Sequence, residues 1–477
     1  TPPTVDRIAV ALATGNSSQL LEEDKLTLLQ SATKIIQGTR QQQQALIAKL
    51  IDDSTASTLD FTKDSQTVSP ILSTAASPLL VSTSGNILAS ISTAHGGRSL
   101  GYGKDLLGQL ASTWGSNQTQ LPLFKRSFTW LVTGDANGTL PATVRVATQN
   151  YNATNVANLL TRLGSKATAV TCAIATSTNT CWQDVDVFVF GQNTPASGAL
   201  TDLVTSYLAA GKAVIYLHSN WGDSAGGRQV LNAMGMQLGG YGGNWFAATT
   251  GFQIASTQTA ALQRQAADRL GNHETVLLAL LNGTSADFSK DTSLITKLDG
   301  IRTDMVAQES NGVDMFVDTF LQKPYLDAQR RLILWADLVR RDVDYAKVVR
   351  SNANEFLKTM AADTWSFASR SYESVPLTFG DWMPAASSKL ATIQNWETIE
   401  VTIAQASGAT AIGRGAVPGK PVQIEIVDAA GASLGVRVGF VRTRGNPLSQ
   451  EKYTRPRYPD IHQAALTSGK TLNYTTA

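Results

Sequence analysis

The stretch VDVFVFGQNTPASGALTDLVTSYLAAGKAVIYLHSNW, residues 185–221, reads as strand, helix, strand. Val185–Phe190 is a nearly unbroken apolar run, too short for a helix and bounded by Gly191. Leu200–Ala210 carries apolar residues at helical spacing and stops at Gly211, and Ala213–Leu217 is a second buried strand. Working outward, Val144–Ala147 reads as a strand and Val156–Leu163 as a helix ended by Gly164. Downstream, Val230, Leu231 and Met234 share a helix. Continuous apolar strands alternating with helices specify a mostly parallel sheet covered on both faces, a three-layer α/β domain. Ligands of such sheets lie beyond the strand C-termini, which here carry Gly191-Gln192-Asn193 and His218-Ser219-Asn220-Trp221.

Trp221 and the segment GGYGGNWF, residues 239–246, give those ends a candidate site. Glycines bracket Tyr241 and Trp245, so the rings can lie close to whatever sits above the sheet. Aromatic platforms beside Asn220, Asn244 and backbone amides suit sugar rings, whose C–H faces stack on indoles. The competing reading makes the same rings a plug on the sheet or a contact with a neighbouring domain. His218 joins the candidate set, either as a buried, ring-stacked histidine or as a catalytic partner of Ser219. Adjacent strand side chains point to opposite faces, which weighs against that pair. Ser219 also lacks the flanking glycines of a nucleophile elbow, and an amidotransferase would need a cysteine there.

Four histidines are present, at 95, 218, 273 and 462. A helical zinc-protease site needs two imidazoles four residues apart with Glu after the first. His273-Glu274 begins that pattern, but Leu277 stands where the second His belongs, so His273 is expected on a helix surface. HGGRSLGYG, residues 95–103, matches neither phosphate-loop glycine spacing. The two cysteines, Cys172 and Cys181, read as a structural disulfide, since zinc takes four ligands at tighter spacing. The pair favours an oxidising compartment.

The remaining chain brackets the α/β region. Leu20, Leu21, Leu28, Leu29, Ile35 and Ile36 start a helical arm that Leu46, Ile47, Leu50 and Ile51 continue, with Gln41–Gln44 on a solvated face. Asp52–Pro78 reads as a linker, followed by a hairpin from Leu79 to Ile91. A helical block carries one stripe through Ala328, Leu332, Trp335 and Val339, with the pairs Arg330-Arg331 and Arg340-Arg341 facing outward. Ala353, Phe356, Leu357, Met360, Thr364 and Phe367 form a second stripe. After Pro376 the period becomes two: Val422, Ile424 and Ile426, then Leu434, Val436, Val438 and Phe440 about a turn at Ala430-Gly431. This predicts an antiparallel β-sandwich that looks incomplete, with Lys470–Tyr474 as a strand entering it. The predicted organisation is α/β plus all-α plus all-β. Its parts are a helical arm and linker (1–75), an α/β domain (76–284), a helical domain (285–375) and a truncated β-sandwich (376–477).

At 477 residues the chain is long enough for three or four domains. Only 16% of residues are charged and the net charge is +2 without basic clusters, which argues against nucleic acid as a partner. No run approaches 18 apolar residues, so no helical span is expected. No signal peptide is evident, and the start at Thr1-Pro2-Pro3 reads as a processed N-terminus.

Eight segments, in order, resemble the immunomodulating metalloprotease group, secreted O-glycopeptidases of the enhancin-like zinc gluzincin class. They are TGNSSQL (14–20), ILASISTAHGGRSLGYG (87–103), FKRSFTWLVTGD (124–135), the Cys172–Cys181 loop, YGGNW (241–245), LILWADLVR (332–340), TAIGRGAVPGKPVQIEI (410–426) and YTRPRYPDI (453–461). The resemblance implies a secreted, non-catalytic region preceding a zinc-dependent metallopeptidase domain, with O-glycosylated proteins as substrates. No ligand or general base of that family has a matching position here, so no cofactor is expected in this chain. The alternatives are an independent α/β hydrolase or amidase at His218 and Ser219, or an extracellular scaffold.

Overall fold

The computed structural model describes residues 6–59, 66–71, 74–82, 85–113, 116–172, 180–219, 222, 224–239, 252–254, 257–310, 315–316, 324–344, 347–365, 393–403, 410–415, 421–439, 451, 453, 461–466, 468–469 and 471–475. The N-terminal arm is two helices, α1 (Arg7–Thr14) and α2 (Asp24–Leu50), broken where Gly15 takes a left-handed φ of 74°. Residues expected to be linker instead contain β1 (Ser57–Leu59), β2 (Val68–Pro70) and the first residues of β3 (Ala76–Val81). Val68 and Ser69 are fully buried, so this polar, Ser-rich stretch is part of the core layer. Its serines satisfy backbone groups: Ser69 Oγ donates to Gly239 O at 2.5 Å and Ser90 Oγ to Val68 O at 2.7 Å.

Then follow β4 (Ile87–Ser92), β5 (Arg98–Tyr102), α3 (Leu106–Ala111), α4 (Leu121–Thr133), β6 (Thr143–Gln149), α5 (Ala153–Arg162), β7 (Lys166–Ala169), β8 (Val187–Gly191), α6 (Leu200–Ala209), β9 (Ala213–Leu217), α7 (Ala225–Ala233), β10 (Met236–Leu238) and β11 (Phe252–Ile254). Seven strands form one mixed sheet in the order β3-β4-β5-β9-β8-β6-β7. The β3-β4-β5 edge is antiparallel, and the pairs β5-β9, β9-β8, β8-β6 and β6-β7 are parallel. One face, with Leu100, Val146, Val189 and Ile215, is covered by α3, α4 and α5; the other, with Phe188, Phe190, Val214 and Tyr216, by α6, α7 and β10.

The glycine motif HGGRSLGYG contains an inner strand of the sheet, β5, which the sequence reading did not assign. Arg98 donates from Nε to Leu131 O (2.8 Å) and from Nη2 to Val132 O (3.1 Å), capping the last carbonyls of α4. Gly103 lies so close to the chain at Gln66 that a Cβ would stand 1.8 Å from the Gln66 carbonyl oxygen. Gly97, Gly101 and Gly103 serve close packing, whereas Gly96 supplies a left-handed φ of 84°.

The described residues of the parallel crossover from β7 to β8 carry a 3-10 turn, Cys181–Asp184. Cys172 and Cys181 form a disulfide there, with Cα atoms 5.4 Å apart, and Trp182 packs edge-on against Tyr207 of α6. The loop-closure entropy of this small ring amounts to about 2–3 kcal/mol. Replacing both cysteines by Ser is expected to lower stability by that amount. It should also speed amide exchange in β7 more than in β9, as read by exchange mass spectrometry.

The chain divides into two units. The first comprises Leu29–Leu281 with Ser293–Leu332; it contains the sheet together with α8 (Thr257–Ala266), most of α9 (Arg269–Asn282) and α10 (Ser293–Ser310). Here Arg40 of α2 bridges Asp268 (2.6 Å) and Glu274. His273, expected on a helix surface, is instead buried, on the stripe of α9 that also carries Leu270, Val276 and Leu277.

The second unit, Thr1–Leu28, Asn282–Thr292 and Ile333–Ala477, holds α1, most of α11 (Asp327–Arg341), α12 (Ala353–Trp365) and the C-terminal strands. Trp335 meets Trp365 edge-on, ring centroids 5.7 Å apart, as the two stripes require. One arginine of each pair departs from the outward expectation: Arg330, in the first unit, is buried and donates to Met315 O at 2.6 Å, and the Arg340 side chain is largely buried 3.7 Å from Asp363, while Arg341 is exposed as expected. Phe367 lies outside the described residues. Among the described residues four strands follow, β12 (Pro421–Glu425), β13 (Leu434–Gly439), β14 (Ile461–Leu466) and β15 (Thr471–Thr475). They form two antiparallel pairs, β12 with β15 and β13 with β14, so the turn at Ala430-Gly431 does not close a hairpin between β12 and β13.

Candidate functional site

Strand order locates the ligand-binding end of the sheet. From β6 the chain goes outward to β7, then returns to the other side of β6 as β8 and continues to β9. The direction of winding therefore reverses between β6 and β8, the point where open α/β sheets place ligands. The loops meeting there are Gln149–Asn152 and Gly191–Thr194, with the N-terminus of α7 beside them.

In this protein that crevice is filled by its own backbone. Asn150 adopts a left-handed φ of 49°, and its carbonyl oxygen would be 2.1 Å from a Cβ on Gly191. Thr194 Oγ1 donates to Gly191 O at 2.7 Å, Ser224 Oγ donates to Gln192 O, and Gly226 packs directly on Thr194 O. Buried Gln192 spans two strand ends: its Oε1 accepts the Ser219 N–H at 2.6 Å.

His218 is fully buried. Its backbone N–H donates to Tyr102 O at 3.0 Å, and its Nδ1 lies 3.1 Å from the Tyr216 hydroxyl. Tyr216 and His218 thus share one face of β9, whereas Ser219 Oγ faces Gln192 Oε1 at 3.5 Å. This arrangement orients the imidazole toward Tyr216. Asn220, Trp221, Tyr241, Asn244 and Trp245, the rest of the candidate set, lie outside the described residues.

A polar cluster that sequence reading missed sits at the start of α3. Asp105 caps that helix, accepting Gly108 N–H at 2.8 Å and the Tyr151 hydroxyl at 2.7 Å. Burial raises the Asp105 pKa, and burial with the adjacent carboxyl raises that of Tyr151. Asp and Tyr were invisible as a pair because 45 residues, with α3, α4 and β6 among them, separate them. Among the described residues no three His, Cys, Asp or Glu side chains gather as a metal site, so the residues described do not fit zinc.

The molecule so defined is a disulfide-pinned α/β sheet with a filled switch point, joined to a helical region and a pair of small β ladders. Residues 28–245 match the immunomodulating metalloprotease N-terminal domain, and residues 281–371 match the immunomodulating metalloprotease helical domain. The chain belongs to this family. It is 29% identical to the immunomodulating metalloprotease of Pseudomonas aeruginosa strain PAO1 over 480 residues, covering 96% of this chain and 50% of that protein. Among solved structures, IMPa metallopeptidase from Pseudomonas aeruginosa aligns with a TM-score of 0.75 at 26% identity, covering 98% of this chain and 53% of that one. IMPa from the same organism in complex with an O-glycopeptide aligns with a TM-score of 0.72 at 25% identity, over 98% and 54%. The chain spans about half the length of the relatives it matches. No helix among the described residues is long and apolar enough to cross a membrane.

Proposed function

We propose that this chain is the non-catalytic front region of a secreted zinc metallopeptidase acting on O-glycosylated proteins. In this reading it orients the catalytic half and touches substrate glycans. The observation that carries it is the ordered match to an N-terminal and then a helical domain, over half the length of a metallopeptidase. The four isolated histidines support it, since none stands at the HExxH spacing. The disulfide and weakly charged composition support export. The strands of 421–475 would then belong to a β-sandwich domain between the helical region and the catalytic half.

The test is one preparation assayed two ways. The purified chain should neither retain stoichiometric zinc nor cleave an O-glycosylated mucin fragment; cleavage abolished by a chelator would overturn the reading. Titration with sialylated and unsialylated O-glycopeptides examines the glycan contact, for which Trp245→Ala should weaken binding about tenfold. No binding by the wild type, with a large loss of melting temperature in Trp245→Ala, would make the ring a packing residue.

A further inference from the structure

The motif FKRSFTWLVTGD, residues 124–135, covers most of α4 and ends on one wall of a recess of about 490 Å³. That wall consists of Trp130, Gly134, Asp135 and Ala136, and the facing wall of Gln42, Ala45, Leu46 and Lys49 on α2. Steps of three, one and three residues put these last four on one side of their helix. Both walls belong to the first unit. Gly134 ends α4 with a left-handed φ of 83°, its N–H donating to Trp130 O at 2.8 Å, and so brings Asp135 to the recess. Asp135 is held there: its N–H donates to Thr133 Oγ1 at 3.1 Å, and its Oδ1 accepts the Asn137 N–H at 3.0 Å. Arg98, the first residue of β5, caps the same helix end. The recess therefore lies toward the amino end of β5, whereas Gln192 and His218 follow the carboxyl ends of β8 and β9.

A volume of this size falls within the roughly 300–1,000 Å³ of small-molecule sites. The polar groups around it are the donor-only ammonium of Lys49, the acceptor-only carboxylate of Asp135 and the Gln42 amide, which does both. The two charges cancel, and among the described residues no ion pair joins Lys49 to Asp135. Hydroxyl groups donate and accept, so a neutral polyol can satisfy all three groups at once. Between them Ala45, Leu46, Ala136 and the edge of Trp130, 4% exposed, offer apolar surface to the C–H groups of a ring. Both charged side chains are exposed, so pairing with a zwitterion would add little. We propose that this recess binds a neutral sugar of one or two rings. It is a site separate from the aromatic candidate set, and it does not depend on the front-region reading.

The experiment titrates the purified 477-residue chain with galactose, N-acetylgalactosamine, N-acetylglucosamine and lactose, read by calorimetry and amide-exchange mass spectrometry. Wild type is expected to bind at least one of them, with exchange slowed in residues 42–49 and 130–136. Ala45→Trp, which fills the recess from an exposed position on α2, should weaken binding at least tenfold and leave the melting temperature in place. Asp135→Asn keeps an acceptor for the Asn137 N–H but loses the charge, and should weaken binding about fivefold. Trp245→Ala should bind at this recess like wild type. Failure of all four sugars to bind, or binding unchanged by Ala45→Trp, overturns the inference. Binding of glycylglycine in place of the sugars makes the occupant a zwitterion and also overturns it. Sugar binding lost in Trp245→Ala but kept in Ala45→Trp overturns it as well, while supporting the glycan contact proposed above.

Discussion

Asp363→Ala is expected to destabilise the second unit by about 3–5 kcal/mol, the cost of breaking a buried ion pair from one side. Asp363 is fully buried on α12. Its Oδ2 accepts the hydroxyl of Tyr453, and its Oδ1 lies 3.7 Å from Nε of Arg340, whose side chain is only 8% exposed. Removing the carboxylate takes the counter-charge from a largely buried guanidinium and an acceptor from a buried phenol. The contact also joins distant segments. Tyr453 packs edge-on against Phe356, and its N–H donates to Val348 O at 2.9 Å; Glu451 O accepts the Arg350 N–H at 2.6 Å. Denaturant unfolding followed by tryptophan fluorescence reads this locally, since Trp365 lies two residues along the same helix and contacts Trp335. Asp363→Asn, which keeps one acceptor, should cost less. The pair Arg340→Met with Asp363→Leu should recover most of the loss, because it removes both charges together. A loss below about 1 kcal/mol in Asp363→Ala would contradict the network.

The second large effect is a dependence on pH centred on His273. Complete burial pushes its pKa down from 6.5 to about 3. The unfolded chain therefore binds a proton near pH 6.5 that the folded chain refuses until about pH 3. Stability is fully present above pH 6.5 and falls as pH drops through that window. One pKa unit corresponds to about 1.4 kcal/mol, so the contribution lost by pH 4 is about 3 kcal/mol. His273→Leu should lack this loss. Asp304 on α10, held well above the usual carboxylate range by burial and opposed by Arg269 at 3.6 Å, works in the other sense, losing stability as pH rises. Because Asp304 is common to wild type and variant, the difference between their denaturation curves at pH 7.5 and pH 4 isolates the imidazole. Equal losses in the two proteins would refute the assignment.

Periodicity alone determined the parts of this protein whose burial is uniform along the element. Val187–Phe190 and Ala213–Leu217 are buried on both faces, so an apolar run in the sequence suffices to identify them. The stripes of α11 and α12 follow equally from 3.6-residue spacing. The isolated histidines likewise spoke against a helical zinc motif before any coordinates, because that motif is local. His273 marks the limit of that reading: its spacing from Leu270 and Leu277 puts it on their stripe, but the polarity of imidazole was read as a surface, and the structure buries it.

Tertiary structure decided what depends on residues far apart in the chain. Ser-rich β2 and glycine-rich β5 lack a strand's apolar pattern. They become strands because neighbouring strands supply the hydrogen bonds and because glycine permits backbone contacts such as Gly103 on Gln66. Arg340 looked solvated until Asp363, itself held by Tyr453, came against it, since a charge is buried only when its partner arrives from elsewhere. The filled crevice between β6 and β8 is of the same kind: Gly191 reads as a loop residue, and only the Asn150 carbonyl folded against it closes the site.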